Sequence, residues 1–262
     1  MSTGKVLVVL PTLGDRLEEL AQTLATVDEQ RRDVELTLVV VLPAGADAAR
    51  DLAAQHGAVL VEDPRQGISE AMNTGIRAAT DEEFYAWIGD DDLFRPGALG
   101  HLRSLLTERP EAVLAYGACD YIGPDGEVLS TSGAGRLATW LVAWGPNLIP
   151  HPGTMFRLDH LRAVGLFDTG LRYAMDLDVL LKLKRRGPFV ATRRHVSAFR
   201  WHPGSTTVSS RAASGAEAAR VKRAHLPSWL RPVSPLWEVP VQWAATMASR
   251  ALNRRAAPTS SS

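Results

Sequence analysis

The sequence predicts an α/β fold, a mostly parallel central sheet flanked by helices and continued by a C-terminal helical tail. Three observations predict it. Short β-branched, apolar runs alternate with helical segments through the first hundred residues. The first, at 6–10, is apolar at every position rather than at every second one, which suits a strand covered on both faces. The runs also stop abruptly, at Pro11, at Pro43 and at Gly89.

In order, residues 6–10 (VLVVL) form the first buried strand, closed by Pro11. Residues 15–30 follow as a helix, with Leu17, Leu20, Leu24 and Val27 on one side. Residues 35–42 are a second strand, stopped by Pro43, and 46–56 a helix that Gly57 ends. Residues 59–61 make a short third strand and 67–79 another helix. Residues 84–88 are a fourth strand, running directly into Gly89-Asp90-Asp91-Asp92, and Pro96 opens the next helix.

Beyond this the pattern is more broken. Residues 113–122 read as a strand, Pro124-Asp125-Gly126 as a turn, and 130–150, rich in Gly, Trp and Pro, as a loop. Residues 177–183 lie in a helix ended by Gly187-Pro188, and 190–201 offer one or two strands. The expected division is a main domain over 1–208, with halves meeting near residue 123, and a basic, Trp-containing tail over 209–262 whose end is expected to be disordered.

The whole chain has 29 basic and 29 acidic residues, which argues against a globally basic nucleic-acid binder. From residue 206 on, eight Arg/Lys face two acids, so the tail carries a surplus of six positive charges and the body an equal negative one. A single cysteine, Cys119, excludes an internal disulfide and suits a reducing compartment. The N-terminal apolar run is too short for a signal peptide, and no window approaches the ~20 apolar residues of a spanning helix. The expected location is the cytoplasm, with a peripheral place at the inner face of a membrane left open by the mixture of Trp229, Trp237 and Trp243 with arginines. The alternative for the tail is a helix packed back on the body.

Ligands of such sheets sit beyond the carboxyl ends of the strands. Pro11-Thr12 and the Asp triplet both lie there and can face one cleft. Three adjacent carboxylates repel one another and call for a cation; oxygen ligands favour Mg²⁺ or Mn²⁺. The alternative is a solvated acidic turn. Gly67 and Ser69, at a helix start, could present N–H groups to a phosphate, or simply open an amphipathic helix. Asp176 and Asp178 stand at another helix start, where carboxylates serve as caps or, within reach of a hydroxyl, as a general base. His202, beside Arg200, could be a further metal ligand or touch a diphosphate; His151, between Pro150 and Pro152, could face an acceptor or be structural.

Taken together, residues 67–76 (GISEAMNTGI), 87–92 (WIGDDD), 151–156 (HPGTMF), 164–168 (VGLFD) and 174–183 (AMDLDVLLKL) resemble glycosyltransferase family 2, whose fold is the nucleotide-diphospho-sugar transferase (GT-A) type. The resemblance covers roughly residues 5–208. It implies an inverting transfer of a sugar from a nucleotide-diphosphate donor to a glycan, glycolipid or small-molecule hydroxyl, as in polysaccharide or glycoconjugate synthesis. It places Asp176 as the base; Pro11, Thr12, Gly67, Asn73, Asp90 and Asp91 at the donor; His151 and Asp178 at the acceptor; and Asp91, Asp92 and His202 at a divalent metal. Three positions depart from the family pattern: Gly89 stands where many members have an acid, Leu42-Pro43-Ala44-Gly45 where many have paired acids, and Met175 where an acid often precedes the base. Two other readings stay open. A sugar nucleotidyltransferase would share the sheet, but Pro11-Thr12-Leu13-Gly14 does not look like its Gly-rich basic loop. A degenerate transferase would only bind nucleotide.

Overall fold

A computed structural model describes residues 4–132, 135–201 and 211–233. Nine strands form one sheet: β1 (Val6–Pro11), β2 (Leu36–Leu42), β3 (Val59–Glu62), β4 (Phe84–Trp87), β5 (Leu93–Phe94), β6 (Leu114–Ile122), β7 (Val128–Ser132), β8 (Thr154–Arg157) and β9 (Phe189–Arg200). Their order is β3-β2-β1-β4-β8-β6-β9-β5, with β7 paired to β6. Pairing is parallel from β3 through β4 and between β6 and β9, while β8 enters antiparallel between β4 and β6. The helices are α1 (Leu17–Gln30), α2 (Asp47–Gln55), α3 (Ile68–Arg77), α4 (Ala98–Glu108), α5 (Gly135–Leu141), α6 (Leu158–Ala163), α7 (Met175–Leu183) and α8 (Arg211–His225).

The uninterrupted apolar runs are explained by cores on both faces. Successive side chains of a strand point to opposite sides, so β1 sends Leu7 and Val9 into one core and Val6, Val8 and Leu10 into the other. The first core is closed by α3 and α7 through Met72, Ile76, Leu177 and Leu180; the second by α1 and α4 through Leu20, Leu24, Leu99 and Leu102.

Three expectations are refined. Residues 190–200 belong to the single 12-residue strand β9, and Trp201 lies just past its end. The 130–150 loop contains the end of β7 and the short helix α5. The segment 151–156 is a one-turn 3₁₀ helix (His151–Gly153) leading into β8, a strand only four residues long and therefore without a readable period of its own. The tail helix α8 packs on α7, burying Val221, and Leu226 just beyond it is buried too. Trp237 and Trp243 lie outside the described residues.

Candidate active site

β1 and β4 are parallel neighbours in register, Val9 opposite Trp87, so the residues following each strand emerge side by side. That is why Thr12 meets the acidic loop: its hydroxyl donates to Asp90 Oδ2 at 2.6 Å and accepts from the Gly14 N–H at 2.9 Å. Pro11 ends β1 beneath it, fully buried. Arg16, at the start of α1, pairs with Asp91 and lies 3.8 Å from Asp90 Oδ1.

Asp92 is buried and turned to the β9 side. Its Oδ1 accepts the Arg200 N–H at 3.1 Å, and its carbonyl accepts Thr23 Oγ1 at 2.8 Å. Burial, with the charges of Asp91 and Asp90 beside it, pushes its carboxyl well above the usual range. Burial also raises Asp90, against the bond from Thr12. Arg200 is held from several sides. Its guanidinium is spent on the carbonyls of Asp91 (3.0 Å) and Pro124 (2.6 Å) and on Gln22 Oε1 (2.8 Å), and so braces the loop from behind.

Gly89 shows where the acids converge. A Cβ there would lie 2.9 Å from Asp92 Oδ2 and 3.3 Å from Asp91 Oδ1. Two carboxylate oxygens thus crowd one small space, a donor set that fits a hard divalent cation. Among the described residues no group of three or more His, Cys, Asp or Glu gathers closely enough to hold a metal unaided. Further ligands would have to come from donor phosphates, as Mg²⁺ commonly allows. His202 lies outside the described residues.

A second group of candidate residues is built around α7. Asp176, in its first turn, accepts the Leu177 N–H at 2.7 Å through Oδ1 and Asn147 Nδ2 at 3.1 Å through Oδ2. Burial outweighs these bonds and pushes its pKa up to about 6. Asp176 and His151 line one narrow crevice together with Ile149, Thr154, Phe156 and Leu180. The His151 ring packs against Trp87 (centroids 4.3 Å apart) and near Phe167 (5.6 Å), and its Nε2 is buried without a partner among the described residues. Burial lowers its pKa to about 3, so the imidazole is neutral and can only exchange hydrogen bonds. Trp87, three residues before Asp90, packs on His151 and so links the strand that leads into the acidic loop to the crevice that Asp176 lines.

Two predicted positions have tertiary partners of their own. Asn73 spends its amide on the Phe167 backbone, donating to the carbonyl at 2.8 Å and accepting the N–H at 3.0 Å. It clamps the turn at 164–168 to α3. Asp178 is tied to Lys182 Nζ (2.6 Å) and to His225 Nε2 (2.8 Å), a link between α7 and α8, and does not line the crevice. Gly67 caps α3 at φ 100°, a conformation that favours glycine, with open space around it. Sequence reasoning missed Asn147 and Arg16 altogether.

The architecture is matched among solved structures. TarS 1–349 of S. aureus in complex with UDP-GlcNAc superposes with a TM-score of 0.65 at 15% identity, over 84% of this chain and 66% of that one. The mannosyltransferase PcManGT from Pyrobaculum calidifontis, solved with GDP-Man and Mn²⁺, superposes at 0.60 and 22% identity, over 94% and 75%. The chain thus spans about two thirds of TarS 1–349, 65% in the superposition on its ligand-free form. No curated protein sequence matches. Sheet and acidic loop define a GT-A fold of the glycosyltransferases. The family model described as glycosyl transferase family 2 matches residues 7–154, more than half of the chain, and the protein belongs to that family.

Proposed function

We propose that the protein is an inverting glycosyltransferase moving a sugar from a nucleotide-diphosphate donor to an acceptor hydroxyl. The observation that carries this reading is Asp176: a carboxylate whose pKa of about 6 makes it a stronger base than an ordinary one, in a crevice linked through Trp87 to the strand that leads into Asp90–Asp92. Thr12, Gly67 and the acidic loop bind the nucleotide diphosphate. Asp91 and Asp92 would hold a divalent cation, Mn²⁺ or Mg²⁺, which supplies neutralisation of the departing diphosphate. His151, neutral, orients the acceptor by a hydrogen bond.

The chemistry is a single displacement. The acceptor O–H gives its proton to Asp176; the oxygen bonds to the anomeric carbon; the bond from that carbon to the diphosphate oxygen breaks, and its electron pair leaves with the diphosphate. Attack from the opposite face inverts the anomeric configuration.

The acceptor in this reading is a glycan or glycolipid. Leu137, Trp140 and Trp144 are exposed on the segment leading to Asn147, and indole faces suit both sugar rings and lipid surfaces. Among the described residues no helix is long and apolar enough to cross a membrane, so contact with a lipid surface, through the basic tail, would be peripheral.

A transfer assay across UDP-, GDP- and dTDP-sugars, with and without Mn²⁺, tests the proposal. The expected result is metal-stimulated transfer from one donor, with the product anomer inverted by NMR. A retained anomer, or nucleotide binding without transfer or hydrolysis across the panel, would contradict it.

A further inference from the structure

α8 is chemically joined to the catalytic helix at its most sensitive point. Glu217 Oε1 accepts three consecutive backbone N–H groups, from Arg172 (3.0 Å), Tyr173 (2.7 Å) and Ala174 (2.9 Å). These residues form the approach to α7, and Ala174 is its N-cap, with no side-chain cap of its own. The first N–H groups of a helix have no partner within it, and a carboxylate there also gains from the helix dipole. Glu217 supplies, from another helix, an acceptor for the N-cap N–H and for the two N–H groups just before it. Asp176 stands two residues beyond the capped segment.

The same helix reaches the other partner of the base. Lys222 Nζ donates to the Gly145 carbonyl, two residues before Asn147, whose amide meets Asp176. Glu217 and Lys222 therefore hold the two chain segments that meet at the Asp176 carboxylate. The His225–Asp178 bond and the Arg185 bond to the His225 carbonyl, 2.7 Å, fasten the far end of α8 to α7.

We propose that α8 is part of the transfer machinery: Glu217 is a positioning residue that sets the start of α7, and Lys222 sets the Asn147 segment against it, so that Asp176 meets the acceptor hydroxyl at a fixed angle. This rests on Asp176 being the base. The bonds described above run from Glu217 to the start of α7 and from Lys222 to the Asn147 segment, so removing them changes turnover and leaves donor recognition intact.

The test compares Glu217→Ala, Glu217→Gln and Lys222→Met in the full chain, with kcat scaled to donor-binding sites titrated by calorimetry. Glu217→Ala should lose at least tenfold in kcat with donor KM within twofold of wild type. Glu217→Gln, whose amide oxygen still accepts, should recover most of that rate. Lys222→Met should lose several-fold in kcat, again at unchanged donor KM, and carries the test if Glu217→Ala does not fold. A merely stabilising α8 would lower the melting temperature and leave kcat per binding site unchanged in Glu217→Ala and Lys222→Met; that result overturns the proposal. Equal losses in Glu217→Ala and Glu217→Gln overturn it too. Asp176→Asn, run alongside, separates the two readings. If it is inactive while Glu217→Ala is fully active, only the α8 proposal fails; if it is fully active, the base assignment fails and takes the α8 proposal with it.

Discussion

Asn147 Nδ2 donates to Asp176 Oδ2 at 3.1 Å, across 29 residues of chain, while Asn147 Oδ1 accepts the Ile149 N–H at 3.2 Å and so keeps the amide from turning over. The bond favours the ionised carboxylate and opposes the burial that raises its pKa.

Asn147→Leu should therefore push the Asp176 pKa still higher. A hydrogen bond to a charged group is worth about 1.5–3 kcal/mol, so the acid limb of kcat/KM should move up by about one to two pH units. The pH–rate profile of the variant checks this, and a limb that stays in place would show that the amide does not sense the charge.

Asp176 also links stability to pH. Its folded pKa of about 6 exceeds the ordinary 3.8, so the folded state binds the proton more tightly. Its stability contribution is complete below about pH 4 and is lost as pH rises through 6. Asp176→Asn removes this dependence. Relative to wild type, the variant should gain on the order of 2–3 kcal/mol between pH 4 and pH 8. Denaturant melts at the two pH values measure the difference.

Gly89→Ala places a methyl group 2.9 Å from Asp92 Oδ2 and 3.3 Å from Asp91 Oδ1. The carboxylates must part, so Mn²⁺-dependent nucleotide binding should weaken at least tenfold, while the fold, supported by two cores, persists. Calorimetry with and without Mn²⁺ is the check.

Arg16 and a cation would compete for Asp91, the partner of Arg16 in the structure. In Arg16→Ala the acidic loop loses that counter-charge. Mn²⁺ binding in the absence of nucleotide should tighten several-fold, as titration followed by Mn²⁺ electron paramagnetic resonance would record.

Much of this was legible in the chain. The runs at 6–10 and 35–42 read as strands because both faces are buried, and Pro11 and Gly89 marked where the chain leaves the sheet. The nearness of Thr12 to Asp90 follows from two strand ends lying side by side. Asp176 was legible as a helix-start carboxylate within a family pattern. What stayed hidden depends on distant partners that no local pattern encodes: Arg16 meets Asp91 75 residues on, and Glu217 reaches back 43 to 45 residues to the start of α7. The partners of Asn73 and Asp178 were hidden for a related reason: the Phe167 backbone lies 94 residues from Asn73 and His225 lies 47 from Asp178, beyond any local pattern.

The most direct measurement is sugar transfer by Asp176→Asn at pH 8, set beside donor affinity in the same sample. Loss of a proton acceptor should reduce turnover at least a thousandfold, a magnitude within the range of general-base contributions of about 10²–10⁴, with the dissociation constant for the nucleotide-sugar unchanged. Turnover at the wild-type rate would place the proton elsewhere and contradict the account at its centre.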